Sequence, residues 1–131
     1  MQNKFTKLHG TYNKALYWPD GIDYVVDHVL GDEYAILASL HAKDRIKEKH
    51  LPEFVYKSCL YGEIVEATFT EGHLDKIVTR LHDRRDNHND ICFAVIFKHG
   101  VNRPLALVKT VWCNNEDDDH ATLNWAQYVN M

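Results

Sequence analysis

The spacing of hydrophobic positions changes period near Gly62. Before it the pattern is helical. Ile22, Val25, Val26 and Val29 lie three and four apart, the signature of one apolar helix face, and Gly31 stands where a C-terminal cap is expected. "EYAILASL" then leads into "HAKDRIKEKH", where Ala42 and Ile46 are four apart among good helix formers, which predicts helix through about Lys49. Pro52 suits the first turn of a further helix with Phe54, Val55, Cys59 and Leu60 on its apolar side, stopped by Tyr61 and Gly62.

Beyond Gly62 the period falls to two. "EIVEATFT" (63–70), "HLDKIVTRLH" (73–82), "ICFAVIFK" (91–98) and "PLALVKTVW" (104–112) are rich in β-branched and aromatic residues and bounded by turn signals. The links "EG", "DRRDNHND" and "HGVNR" are too short to carry crossover helices, so consecutive strands are expected to run antiparallel. The expected class is α+β, with helices packed on one face of a four-stranded antiparallel meander spanning 63–112. Alternation assigns Ile77, Thr79, Leu81, Phe93, Val95, Phe97, Leu105, Leu107 and Val111 to the packed face, and Arg80, His82, Lys98, Thr110 and Trp112 to the other. Residues 1–20, around the "WPDG" turn, are weakly specified, and "ATLNWAQYV" near the end suits either a short helix or a strand.

Composition narrows the class without naming a function. The 131 residues, 45% hydrophobic and 26% charged, suit one domain able to bury a core unaided. Cys59, Cys92 and Cys113 form no CxxC pair and cannot all pair with one another, which favours reduced thiols and a cytoplasmic setting. No apolar stretch is long enough to span a bilayer and no signal-peptide pattern opens the chain, so no membrane partner is expected. The formal charge of −4 argues against a strongly basic nucleic-acid binder. The excess, however, equals the run "EDDD", Glu116 to Asp119, and the bases cluster within 41–50 and 76–85, where local phosphate contact is still feasible.

Two constellations carry candidate chemistry. His41 and Arg45, one helical turn apart, can share a phosphate; the plainer reading is a helix-start histidine beside a solvated or paired arginine. In "TRLHDRR" alternation puts Arg80 and His82 on one strand face, with Arg84 and Arg85 just beyond. Metal-free RNA cleavage needs a base for the 2′-hydroxyl, positive charge for the phosphorane and an acid for the leaving oxygen, and histidine with arginine supplies these roles. An edge strand charged against aggregation has the same composition. Thr110 and Trp112 end the last strand, where threonine can donate to phosphate and tryptophan can stack a base or simply be buried. "NNEDDDH" (114–120) lacks the glycine and spacing of a calcium loop and reads as a solvated acidic loop. Zinc spacing, a glycine-rich phosphate loop and a hydrolase elbow are all missing from the sequence, so neither a metal nor a cofactor is expected.

"LHAKDRIKEKHL" resembles the "HA-x-x-R-x-x-x-R" opening of a family of small bacterial and phage domains related to RelE-type toxins, and "LVKTVW" is similar to that family's last strand, "VVTVYW". The resemblance spans about 35–113 and matches His41, Ala42 and Arg45, with Lys49 in place of the second arginine. It leaves 1–34 as an N-terminal extension and 114–131 as an acidic loop and C-terminal segment. It implies a RelE- or barnase-like fold whose exposed sheet face cuts RNA, although the chain is acidic where such toxins are usually basic. Together these readings point to a metal-independent endoribonuclease leaving a 2′,3′-cyclic phosphate, with His41, Arg45, Arg80 and His82 catalytic and Arg84, Arg85, Thr110 and Trp112 binding RNA. The alternative is a non-catalytic inhibitor whose acidic surface engages a host protein.

Overall fold

The computed structural model describes residues 8–14, 22, 26, 33–82, 89–98 and 104–115. Among these, six strands form one mixed sheet: β1 (Gly10–Asn13), β2 (Ala35–Ala38), β3 (Glu63–Thr70), β4 (His73–His82), β5 (Asn89–Lys98) and β6 (Leu105–Asn115). Their spatial order is β1-β3-β4-β5-β6-β2. The β3 to β6 run is consecutive and antiparallel, β1 adds antiparallel to β3, and β2 adds parallel to β6. One helix, α1 (Leu40–Glu48), and one 3-10 turn, Val55–Ser58, are delimited, and Ile22 and Val26 are also helical.

This corrects the expected layout. Among the described residues the fold is mostly sheet, with six strands in mixed orientation and a single delimited helix, not helices covering a four-stranded antiparallel meander. The RelE- or barnase-like arrangement implied by the resemblance falls with it. Two causes are visible. "AILA" reads as the lead-in to a helix because alanine and leucine favour helix, yet it pairs with β6 from Ala35↔Leu105 to Ala38↔Val108. The segment after Pro52, expected to be helical, makes only the short 3-10 turn, with Val55 N–H donating to the Pro52 carbonyl at 3.0 Å.

Local chemistry accounts for the boundaries. Glu71 and Gly72 both take positive φ, 48° and 82°, in the two-residue link between β3 and β4, the geometry that matches strand twist in a tight hairpin. Ser39 caps α1, its Oγ accepting from Ala42 N–H at 3.0 Å and donating to the Lys109 carbonyl at 2.8 Å. The helix ends with His50 at φ 55°; His50 N–H reaches the Lys47 carbonyl and Leu51 N–H the Ile46 carbonyl, which satisfies the last turn.

The core lies on one sheet face. Ile22, Val26, Ala42, Ile46, Leu51 and Cys59 pack there against Phe69, Ile77, Phe93, Val95 and Val111. Leu105 and Leu107, expected on this face, are not among the buried core residues; Ala106 and Val108 are. The pairing shifts between Ala94↔Thr110 and Val95↔Val108, so Lys109 is the extra residue of a bulge and the inward positions change from even to odd numbers along β6.

Candidate functional site

On the sheet face opposite the core, β4, β5 and β6 align two rows of side chains. Register places His82, Asp90 and Asn114 in one row and Arg80, Cys92 and Trp112 in the next. Asp90 joins the rows. Its Oδ2 accepts from Arg80 Nε at 2.6 Å, and its Oδ1 lies 3.0 Å from His82 Nδ1. The Arg80 and Asp90 side chains are 11% and 15% exposed, whereas His82 is half exposed. The carboxylate is therefore largely shielded while the imidazole reaches solvent.

Burial pushes the Asp90 carboxyl upward, but hydrogen bonds and charge from Arg80 and His82 outweigh it and hold the group below its ordinary value. An anionic Asp90 favours the imidazole tautomer with its proton on Nδ1, which leaves Nε2 as the nitrogen able to accept or return a proton. Arg80 fixes the carboxylate, and the carboxylate fixes the ring. Asn114 lies across from Asp90, and its amide nitrogen is buried with no hydrogen-bond partner. Trp112, two residues earlier on the same strand, is half-buried on the same face.

The expected site residues divide between two places. Arg80, His82, Thr110 and Trp112 share the face opposite the core, and Thr110 continues a row through Ala94 and Val78 to the buried Glu66 and Asn13. His41 and Arg45 ride on α1, whose Ala42 and Ile46 belong to the core on the other face. His41 and His82 therefore do not converge, because the sheet separates them. His41 is exposed, and Arg45 Nη1 pairs with Glu48 at 2.9 Å, an ordinary solvated helix pair. Arg84 and Arg85 lie outside the described residues.

Asp90 and Asn114 were missed from the sequence because each falls at the end of a segment read as a link or loop. The fixed register from Ile77↔Val95 to His82↔Asp90 extends β5 back to Asn89 and brings that carboxylate opposite the histidine. The signal was present as an acidic residue symmetric with His82 about the β4–β5 link, but only with the register known.

Two other features lie apart from this cluster. A groove of about 410 Å³ between α1 and the 3-10 turn is lined by Lys43, Ile46, Lys47, Leu51, Phe54 and Tyr56 among others, and none of the expected site residues that are described borders it. Cys59 is buried, and desolvation pushes its thiol up to about 12, so it is an inert packing group and not a nucleophile. Among the described residues no three His, Cys, Asp or Glu side chains come together in a group suited to a metal ion.

Comparison with protein-family models, curated proteins and solved structures finds no match for this chain. No helix among the described residues is long and apolar enough to cross a membrane.

Proposed function

We propose that the chain is a metal-independent endoribonuclease whose proton-transfer group is His82. The observation that carries this reading is the Arg80–Asp90–His82 chain of contacts, which orients a half-exposed imidazole with its Nε2 left for substrate. In this reaction Nε2 takes the proton of a ribose 2′-hydroxyl, the 2′-oxygen attacks the adjacent phosphorus, and the bond to the 5′-oxygen breaks. The leaving oxygen takes up a proton, and a 2′,3′-cyclic phosphate remains. Arg80 acts as a positioning residue here, not as a clamp, because its Nε is committed to Asp90 and its side chain is mostly covered. Arg84 and Arg85, two and three residues after His82 in the chain, are the proposed phosphate contacts. His41 and Arg45, on the other side of the sheet, have no part in this site.

The test is incubation of purified protein with total RNA in EDTA, with and without ribosomes, followed by analysis of the ends. Cleavage is expected to persist in EDTA and to leave cyclic phosphate or 3′-phosphate termini. His82→Ala is expected to slow it by about two to four orders of magnitude, as for loss of a general acid or base, with a melting temperature lowered only slightly, because Arg80 still holds Asp90. RNA that stays intact in every condition overturns the proposal.

A further inference from the structure

The groove between α1 and the 3-10 turn has an apolar floor and a rim that carries both signs of charge. Ile46 and Leu51 close its base as members of the core, Phe54 and Tyr56 supply ring surface, and Lys43, Asp44, Lys47 and Glu53 stand around it. Among the described residues none of these four charged groups makes an ion pair, although Asp44 and Lys47 are three apart on the helix and within reach of each other. The other side of α1 behaves differently, since Arg45 and Glu48 there are paired at 2.9 Å.

Large apolar side chains are exposed at the same place. Phe54 is 59% exposed and Leu40 76%. Leu40 precedes Lys43 by three residues and Lys47 by seven, which puts it on their stripe of α1. Apolar groups gathered beside a groove mark a contact surface, whereas single scattered ones need no explanation.

The charges decide between occupants. A polyanion such as RNA would meet Asp44 and Glu53 as well as the lysines, and a strongly basic partner would meet the lysines. Either leaves like charges opposed. A second copy of the chain carries both signs on the same surface, and across a two-fold axis that surface meets itself, so the lysines of each copy are offered the carboxylates of the other.

We propose that this face is the interface of a two-fold homodimer, with Leu40 and Phe54 covered in its centre and Lys43, Asp44, Lys47 and Glu53 paired between copies at its rim. An apolar centre inside a polar rim is the usual anatomy of such a contact. The proposal is independent of the ribonuclease reading, because α1 packs on the core face of the sheet and His82 lies on the other.

Sedimentation equilibrium tests it. At about 100 µM, above the micromolar end of the affinities of specific interfaces, the wild-type chain is expected to show twice the monomer mass. Two double variants give the rim a single sign: Lys43→Glu with Lys47→Glu, and Asp44→Lys with Glu53→Lys. Each alone is expected to dissociate about 100-fold more readily, because like charges then face each other, and an equimolar mixture of the two is expected to restore the dimer. Thermal melting checks that each variant is folded. Leu40→Asp, at a position exposed to solvent in the single chain, replaces any rim variant that does not fold and is expected to be monomeric. A wild-type chain that stays monomeric at this concentration overturns the proposal. So does a dimer that survives in the rim variants or in Leu40→Asp, since it uses another face, and so do rim variants that remain monomeric when mixed, since complementary charge is then not what joins the copies.

Discussion

Asp90 is the residue on which the candidate site depends, and its electrostatics make a specific prediction. Its folded-state value is depressed, so the unfolded chain takes up a proton at higher pH than the folded one does. The stabilisation from the Arg80–Asp90–His82 cluster is therefore complete above the unfolded carboxylate value of about 4. It is lost as the pH falls from there through the lower folded value. Asp90→Asn is expected to flatten this acid slope. At neutral pH it should also cost about 1.5–3 kcal/mol, the range for a hydrogen bond to a charged group, because the Arg80 guanidinium loses the carboxylate its Nε donates to. Urea midpoints measured from pH 7 down to pH 3 on both proteins check this, and an Asn variant with the wild-type acid slope would show that the cluster is not the source. Another residue-scale contact, the Thr79 hydroxyl donating to the Cys59 carbonyl at 2.6 Å, joins the turn segment to β4 inside the core. Thr79 was legible as an inward position; its carbonyl partner twenty residues earlier was not.

At the scale of elements, α1 is held less by its own propensity than by the residue that caps it. Nine residues form a marginal helix in isolation. Ser39 both caps the helix and ties it to the bulge of β6 at Lys109, while its backbone N–H donates to the Val108 carbonyl at 2.9 Å. Ser39→Ala is expected to cost about 1–2 kcal/mol, the upper part of the range for a lost cap, since the hydroxyl makes two hydrogen bonds here. Amide hydrogen exchange should show faster opening of Ala42 and Lys43 before any change in β3 to β5. A uniform change across the sheet would mean that helix and sheet open as one unit. The β3–β4 hairpin contrasts with this. Its turn is written in the dipeptide Glu71–Gly72, while Gly62, just before β3, is fixed by a distant strand. A methyl group there would come within 2.7 Å of the Arg80 carbonyl. The first glycine is a local signal, and the second answers to a tertiary contact that no neighbouring residue announces.

For the whole molecule, β5 is the strand through which both faces communicate. It pairs with β4 and β6, and it alternates Phe93 and Val95 toward the core with Cys92 and Ala94 toward the other face. Both faces of its centre are buried, so truncation cannot be relieved by water on either side. Phe93→Ala is expected to destabilise the protein by about 3–5 kcal/mol, read as a shift of the urea midpoint. A loss below about 1 kcal/mol would mean that the surrounding core collapses into the space.

The alternation of "EIVEATFT", "HLDKIVTRLH", "ICFAVIFK" and "PLALVKTVW" was enough to place strands on these segments, because period-two patterning is a local property of half-buried chain. It also placed Arg80 and His82 on a common face. It did not reveal β1 and β2, four residues each, since strands that short are specified by the edge they join and not by their own composition. Nor did it reveal that His41 and Arg45 stand across the sheet from His82, because a helix periodicity states which side is apolar and not which sheet face receives it. The sequence by itself determined which residues alternate and which can carry protons or charge. Only the tertiary structure decided that Asp90 and Asn114 join His82, because strand register is set by long-range pairing, and a bulge of one residue at Lys109 is enough to turn a strand's inward positions into outward ones.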